Sequence, residues 1–226
     1  MEKIRVIVNG AKGKMGQETV KAVQRESDLV LVAQTDLGDN LAEAIKKNKA
    51  EVVVDFTQPD CVIDNLHAIL ESGAHAVVGT TGISKADLTK IEKLCEANKV
   101  NCLVAPNFAI GAVLMMQFAK EASKHLPKAE IIEMHNPQKK DRPSGTSLKT
   151  AEMMREAMGE NADIPIHSVR LPGLVAHQEV ILGGVGQTLT IRHDSLSRES
   201  FMPGVVLAIR KIKKIKGLVY GLENIL

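Results

Sequence analysis

The chain has 226 residues, of which 44% are hydrophobic and 25% charged, which is ordinary for a soluble globular protein of one large domain or two small ones. Aromatic residues make up only 2% of the chain and the formal net charge is +2, so a surface for nucleic acid is not expected. The three cysteines form no C-x-x-C pair, the first residues do not read as a signal peptide, and no apolar run approaches the ~18 residues of a membrane span. We therefore expect a cytoplasmic protein that binds neither nucleic acid nor membranes.

Apolar strands alternate with amphipathic helices in the first half of the chain. The apolar runs predict strands at residues 3–9, 29–33, 51–56, 75–78 and 100–104. Apolar residues at helical spacing predict helices between them, at residues 14–26, 40–48, 60–72 and 84–97. Strands that are apolar throughout and alternate with helices predict a parallel sheet covered on both faces.

The strands come closer together after Pro106. The pattern predicts a helix at residues 111–125, a strand at 129–134, a polar loop, a helix at 147–158 and strands at 166–170, 174–182 and 188–193. Closely spaced strands indicate an antiparallel or mixed sheet, and hence a second domain with its boundary near Asn107. A final helix at 198–215 and the tail behind it are expected to return to the first domain, whose five-stranded sheet leaves an edge to cover.

Three glycines follow the first predicted strand, where the first helix begins. Gly10, Gly13 and Gly16 give G-x-x-G-x-x-G in the segment GAKGKMG, which differs in spacing from the common G-x-G-x-x-G. Glycines at this point allow a tight turn and let the backbone approach a pyrophosphate, which the helix N-terminus attracts. Asp36, roughly 20 residues further on, would accept a hydrogen bond from a ribose hydroxyl. The pattern favours dinucleotide binding over a purely structural turn.

The residues around this turn leave the choice between NADH and NADPH open. Asp36 would repel a 2′-phosphate, whereas Lys12 and Lys14 could offset that repulsion. Three further features fall at the carboxyl ends of predicted strands, where open parallel sheets bind ligands: Asp55, GTTG at residues 79–82 and APNF at residues 105–108. The GTTG segment is equally consistent with a helix cap and turn.

The segment EMHNPQKKDRPSGT, residues 133–146, gathers the most polar groups, between a predicted strand and a predicted helix. His135 could stabilise charge or relay a proton near neutral pH, and Lys139 is a cation that could donate a proton. The Ser-Gly-Thr step would open a helix whose amides and dipole suit a carboxylate. An alternative is open for each of these residues. His135 could be a hydrogen-bonded structural residue of the strand, and Lys140 could be the catalytic lysine in place of Lys139. The Ser-Gly-Thr step could be only an N-cap.

Together these motifs resemble the 4-hydroxy-tetrahydrodipicolinate reductase family, also called dihydrodipicolinate reductase, of bacterial diaminopimelate and lysine biosynthesis. The resemblance rests on GAKGKMG, VVDFT at residues 53–57, GTTG, APNF and, most specifically, E-x-H-x-x-x-K-x-D-x-P-S-G-T at 133–146, and it spans nearly the whole chain. It implies an α/β fold: a Rossmann-like parallel-sheet nucleotide domain at residues 1–107, with 198–226 packed back on it, and an α+β substrate-binding and oligomerisation domain at 108–197 with a mixed or antiparallel sheet. It also implies a homotetramer.

The activity implied by the resemblance is the NAD(P)H-dependent reduction of 4-hydroxy-tetrahydrodipicolinate to tetrahydrodipicolinate with loss of water. His135 and Lys139 would be the catalytic pair, without a metal. The small dicarboxylate substrate would be bound by Asn136, Ser144, Gly145 and Thr146. The nucleotide, NADH or NADPH, would be bound by Gly10, Ala11, Lys12, Gly13, Lys14, Met15, Asp36, Gly79, Thr80, Thr81, Ala105, Pro106, Asn107 and Phe108.

This sequence departs from the family pattern at two positions. Many members carry a second histidine where this chain has Asn136, which can form hydrogen bonds but carries no charge. The second departure is Arg142, which stands where a small residue is common. Two further residues are not assigned to the site: Asp141 is interpreted as structural, and Arg170 as part of a strand connection. The alternatives are another NAD(P)-dependent dehydrogenase of similar two-domain build, which would not need the His135/Lys139 loop, and a non-catalytic nucleotide-binding redox sensor.

Overall fold

The computed structural model describes residues 2–226 and leaves Met1 outside the described residues. The described chain forms two compact units. The first unit is the chain up to Phe108 together with Phe201–Leu226, and the second unit is Ala109–Ser200. No helix within residues 2–226 combines the length and the apolarity needed to cross a bilayer.

The first unit is built on a parallel sheet, as the apolar runs predict, but the sheet has six strands instead of five. Its strand order is β10-β5-β4-β3-β1-β2. The strands are β1 (Ile4–Asn9), β2 (Leu29–Thr35), β3 (Val52–Asp55), β4 (His75–Val78), β5 (Cys102–Val104) and β10 (Leu218–Tyr220). The helices are α1 (Lys14–Arg25), α2 (Leu41–Asn48), α3 (Val62–Glu71), α4 (Lys85–Asn98) and α7 (Met202–Lys211). The two central strands β1 and β3 are almost wholly buried, which explains why they are apolar on both faces.

The sixth strand comes from the end of the chain. β10 pairs in parallel with β5, so that Leu218 lies beside Cys102 and Tyr220 beside Val104. The predicted sheet has five strands, because the apolar run of β10 is three residues long and so shorter than each of the five runs that predict a strand. The backbone of β10 covers the edge that β5 would otherwise expose.

The second unit contains a mixed four-stranded sheet and two helices. The strand order is β7-β6-β8-β9, in which β6 and β7 are parallel and the other pairs are antiparallel. The elements are α5 (Ile110–Ser123), β6 (Lys128–His135), α6 (Gly145–Met158), β7 (Ile166–Arg170), β8 (Ala176–Gly184) and β9 (Gln187–Ser195). The predicted fold class, a parallel sheet followed by a mixed or antiparallel one, is therefore confirmed.

Two of the differences from the predicted helix bounds have a local cause. The single helix predicted at 198–215 is instead a 3-10 turn at Arg198–Phe201, α7, and a second 3-10 turn at Ile212–Lys214. Pro203 lies in the first turn of α7, where a residue without an N–H is tolerated, and it marks the start of the true α-helix. α6 begins two residues earlier than predicted, because Ser144 caps it.

Candidate active site

The glycine turn connects β1 to α1 in the first unit and is bonded to the neighbouring strand. The N–H groups of Gly10 and Ala11 both donate to the carbonyl of Thr35, at 2.9 and 3.1 Å. Gly10 has a φ of +77°, and a Cβ atom there would lie 2.3 Å from the carbonyl oxygen of Phe56. A Cβ atom at Gly16 would lie 2.0 Å from the Gly10 oxygen. Both positions therefore require glycine, for backbone contacts inside the turn.

Helix α1 starts directly behind this turn. Gly13 is its N-cap, with an extended backbone and no side chain to hydrogen-bond the helix end. Lys14 is exposed at the first helical position and Met15 is half-buried. The first-turn amides of a helix have no partner within the helix, so this end can hydrogen-bond an anion.

Asp36 lies one residue beyond β2, beside the same turn. Its Oδ2 accepts the N–H of Lys12 at 2.8 Å and its Oδ1 accepts the N–H of Leu37 at 2.9 Å. These backbone hydrogen bonds, from Lys12 and then Leu37, lower the pKa of the Asp36 carboxyl below its usual range. The structure thus places an ionised carboxylate at the edge of the glycine turn, with lone pairs left to accept further donors.

Asp55, at the end of β3, is the most heavily hydrogen-bonded carboxylate of this unit. It is fully buried and accepts five hydrogen bonds of 2.7 to 3.2 Å. The donors are the side chains of Asn9, Asn65, Thr57 and Thr80 and the backbone N–H of Thr57. This network connects the ends of β1 and β3 with the GTTG segment.

The GTTG segment follows β4. Thr80 is buried and donates to Asp55, and its hydroxyl oxygen also accepts the N–H of Thr57 at 2.8 Å. Thr81 is exposed. A Cβ atom at Gly79 would lie 2.0 Å from the ring of Phe56, so this glycine is needed for close packing.

The APNF segment follows β5. Ala105 and Phe108 are buried, and the ring of Phe108 packs edge-on against that of Phe56 at a centroid distance of 5.8 Å. Pro106 is exposed and Asn107 is half-buried. The side chains of Ala105 and Phe108 therefore belong to the core of the first unit.

The second group of predicted site residues lies in the second unit, on the loop between β6 and α6. His135 is the last residue of β6, and its Nδ1 hydrogen-bonds Oε2 of Glu133 two residues earlier on the same face of the strand. Glu133 is fully buried, and 12% of the His135 side chain is exposed. Arg170, at the end of β7, completes the cluster by a bidentate salt bridge to Glu133, with distances of 2.9 and 2.8 Å.

The pKa shifts in this cluster follow from burial and from the guanidinium. Burial would raise the pKa of Glu133, but hydrogen bonds from Arg170, Ser168 and His135 outweigh it and leave that pKa below the usual range. Burial lowers the pKa of His135 more than Glu133 raises it, and Lys139 and Arg170 lower it further. At neutral pH Glu133 is therefore ionised and His135 is neutral.

Lys139 lies four residues beyond His135. Its Nζ forms an ion pair with Oδ2 of Asp141 at 2.9 Å, and 32% of its side chain is exposed. Its backbone N–H donates to the carbonyl of Asn136 at 3.0 Å, and the side chain of Asn136 accepts the N–H of Gln138 at 3.1 Å. Asn136 thus closes a turn within the loop, and Lys139 carries a partly accessible ammonium group.

The loop ends at the N-terminus of α6. Ser144 is buried, caps the helix by accepting the N–H of Ser147 at 3.2 Å, and contacts the Ser147 hydroxyl at 3.0 Å. Gly145 is the first helical residue, and nothing lies within 4 Å of where its Cβ would be. Thr146 follows in the first turn. The helix end offers backbone amides to an anion, whereas the Ser144 hydroxyl is engaged in the cap.

Neither Glu133 nor Arg170 is among the site residues predicted from the sequence, and Arg170 was interpreted there as part of a strand connection. Besides Glu133, its guanidinium donates to the carbonyl oxygens of Lys139 at 3.3 Å and Asp141 at 2.6 Å. Only 2% of its side chain is exposed. The signal that could have found it is Glu133 itself, because a carboxylate in an apolar strand needs a cationic partner.

Two family models match the chain. The model described as "Dihydrodipicolinate reductase, N-terminus" matches residues 4–108, and the one described as "Dihydrodipicolinate reductase, C-terminus" matches residues 111–226. Among solved structures, the chain is similar to the dipicolinate-bound dihydrodipicolinate reductase from Paenisporosarcina sp. TG-14. The TM-score is 0.89 at 42% sequence identity, over 99% of this chain and 100% of the other.

Curated relatives named 4-hydroxy-tetrahydrodipicolinate reductase give the same result. The chain is 46% identical to that of Desulfitobacterium hafniense over 266 residues, covering 100% of both. It is 48% identical to that of Coxiella burnetii, over 99% of both chains, and 48% identical to that of Listeria monocytogenes, over 99% of this chain and 100% of the relative. An amine dehydrogenase from Mycobacterium smegmatis, at 12% identity and a TM-score of 0.69, shares the fold alone.

Proposed function

This chain belongs to the dihydrodipicolinate reductase family, and from that premise we propose that it reduces 4-hydroxy-tetrahydrodipicolinate to tetrahydrodipicolinate with a nicotinamide nucleotide. The reaction consumes the cyclic substrate, one reduced nicotinamide nucleotide and one proton, and it yields tetrahydrodipicolinate, the oxidised nucleotide and water. The protein must therefore bind two carboxylates and supply a proton, while the hydride comes from the nucleotide.

The observation that carries the proposal is the loop between β6 and α6. One short segment brings together a partly accessible ammonium group on Lys139, an imidazole on His135 and the amide-rich start of a 14-residue helix. We assign Lys139 as the proton donor, because it is a cation whereas His135 is neutral at pH 7. His135 is assigned to the reacting end of the substrate, where it can accept a hydrogen bond or a proton.

The substrate carboxylates are assigned to the helix start. The backbone amides of Gly145 and Thr146 lie in the first turn of α6, where the helix dipole favours an anion. Ser144 contributes by capping and fixing this turn. Asn136 holds the loop turn through its side chain, so we assign it a role in loop shape as well as in substrate binding.

The nucleotide is assigned to the predicted domain of residues 1–107, with 198–226 packed back on it, and the substrate to the predicted domain of residues 108–197. Support comes from the glycine turn, from Asp36 beside it, and from the Asp55 network that holds Thr80. We propose that either nucleotide is accepted and that the ionised Asp36 favours NADH, since it accepts from a ribose hydroxyl but repels a 2′-phosphate. Asp36→Asn should raise the ratio of NADPH to NADH kcat/KM about tenfold, the effect of roughly one like-charge contact near the surface. An unchanged ratio would contradict this assignment.

A cytoplasmic homotetramer is also part of the proposal and is supported by the family resemblance. Cys61, Cys95 and Cys102 are free thiols, as expected in a reducing compartment. Size-exclusion chromatography with light scattering should give about four times the chain mass of 24.5 kDa. A mass of one chain would rule out the tetramer and leave the activity assignment untouched.

The activity is tested by following the loss of reduced nicotinamide absorbance, with substrate generated in situ from pyruvate and aspartate semialdehyde. Lys139→Ala should lower kcat by about 10²- to 10⁴-fold, the usual effect of losing a proton donor. Lys140→Ala is the matched control, because Lys140 is the neighbouring, exposed lysine, and it should keep nearly wild-type activity. No wild-type turnover with either nucleotide, in protein that binds the nucleotide tightly, would contradict the proposed reaction.

A further inference from the structure

In the cluster around Glu133, Arg170 forms more hydrogen bonds than an ion pair with Glu133 alone would need. The guanidinium of Arg170 has five N–H groups, and each has an acceptor. These acceptors are the two oxygens of Glu133 and the backbone carbonyls of Val169, Lys139 and Asp141. Two of the five therefore hold the loop that contains Lys139, and the bonds to Glu133 orient the guanidinium for that contact.

Glu133 has a second partner in His135. Because Glu133 is paired with Arg170 and ionised, its oxygens can only accept, so Nδ1 of His135 must carry the proton. The neutral ring then presents Nε2 as an acceptor. The strand pairing explains the arrangement, because His135 of β6 lies directly opposite Arg170 of β7 and Glu133 lies one pleat away on the same face.

We propose that Glu133 and Arg170 are positioning residues for the reaction: Glu133 fixes the tautomer and orientation of His135, and Arg170 fixes the backbone that carries Lys139. The inference rests on the proposed function. The depressed pKa of Glu133 agrees with it, since the carboxylate stays ionised across the working pH range. Lysine could not replace Arg170, because an ammonium group lacks the planar fork that reaches a carboxylate and two loop carbonyls at once.

A purely structural role would make a different prediction. If the pair only stabilised the second unit, variants would lose unfolding free energy, but the folded fraction would keep its kcat and its pH profile. The groups that face His135 are Glu133, Arg170 and Lys139, and Asp141 is paired with Lys139. Among these groups, Glu133 raises the pKa of His135. Neutralising Glu133 should therefore shift to lower pH the part of the kcat–pH profile that reports the protonation of His135.

The experiment compares Glu133→Gln and Arg170→Lys with the control Glu130→Gln. Glu130 lies on the same strand and pairs with His167 of β7 at 2.7 Å, but both side chains are more than half exposed. For Glu133→Gln we expect kcat to fall by about 10²-fold, the usual cost of a small misplacement of a catalytic group. The Kd for NADH should stay unchanged, and the part of the kcat–pH profile that reports His135 should shift to lower pH. Arg170→Lys should lower kcat similarly without that shift. Glu130→Gln should match the wild type.

The outcomes separate the inference from the proposed function. Wild-type kcat and pH profile in folded Glu133→Gln, alongside an inactive Lys139→Ala, would overturn the positioning role and leave the proposed function intact. Absence of turnover in the wild type would overturn both. If Glu133→Gln does not fold, Glu133→Asp keeps the charge but draws it back by one methylene. Folded Glu133→Asp protein should then show reduced kcat, and unchanged kcat would overturn the inference.

Discussion

Asp55 in the first unit and Glu133 in the second are both fully buried carboxylates, yet the two units stabilise them differently. Asp55 accepts hydrogen bonds from neutral amide and hydroxyl groups, and no cation is among its partners within residues 2–226. Glu133 is paired with a guanidinium and an imidazole. Burial of an ion is costly unless its lone pairs are satisfied, and the comparison shows two ways of satisfying them.

The difference corresponds to what each carboxylate holds in place. Asp55 collects donors from strand ends and from Thr80, so it shapes several backbone segments at once without bringing a positive charge to that edge of the sheet. Glu133 holds a cation whose remaining donors hold one loop. Three substitutions test this comparison, in order of decreasing expected effect on the free energy of unfolding.

Removing the cation from the second unit should have the largest effect. Arg170→Met should lower the free energy of unfolding by about 3–5 kcal/mol at pH 7.5, because it leaves the charged, fully buried carboxylate of Glu133 without its guanidinium partner. Urea unfolding measures this loss. The control is Arg192→Met, which removes an arginine paired with Glu179 and Asp194 at the surface and should change stability little.

The pH dependence of that variant should have the opposite sign to the wild type. In the wild type the folded-state pKa of Glu133 is lowered, so its contribution to stability is present above the ordinary carboxyl pKa and is lost as the pH falls. In Arg170→Met the buried carboxyl of Glu133 has lost its cationic partner and favours its protonated form, so acidification from pH 7.5 to 5.5 should restore part of the lost stability. A variant that loses further stability over this range would show that Glu133 is not left buried without a compensating cation.

Neutralising the buried carboxylate of the first unit should have an intermediate effect. Asp55→Asn should cost about 1–3 kcal/mol, because the new amide group faces the amide donors of Asn9 and Asn65 and leaves them poorly satisfied. Because Asp55→Asn leaves no buried charge at this position, lowering the pH from 7.5 to 5.5 should not restore stability as it does in Arg170→Met. Asp64→Asn, at an exposed position in the first turn of α3, is the control. Asp55→Asn unfolding as easily as Arg170→Met would remove the distinction between the two sites.

Disrupting an exposed charge network should have the smallest effect on the free energy of unfolding. Arg210 in α7 bonds Asp28 and Glu26 at 2.6 to 2.8 Å, and 41% of its side chain is exposed. Arg210→Gln should lower the free energy of unfolding by at most about 1 kcal/mol, and the difference should shrink in 0.5 M salt because exposed charges are screened. A loss as large as that of Arg170→Met would show that burial is not what separates these arginines.

The sequence by itself determined the order and type of nearly all elements in this protein. Strands such as β3 and helices such as α1 are recognisable because apolar periodicity is a local property, and the parallel sheet follows from their alternation. The glycines of the turn and the polar loop at 133–146 are equally local signals. The short β10 and the division of the final helix were not predicted, because their apolar periodicity is weak or interrupted.

Only the tertiary structure decided which side chains meet. Glu133 and Arg170 are separated by 37 positions in the chain, and Asp55 and Asn9 by 46, so no spacing rule connects them. Their pairing depends on strand order and register, which place β7 beside β6 and β3 beside β1. Burial then turns these contacts into strong ones, because a carboxylate removed from water must be satisfied by the donors that the fold brings to it.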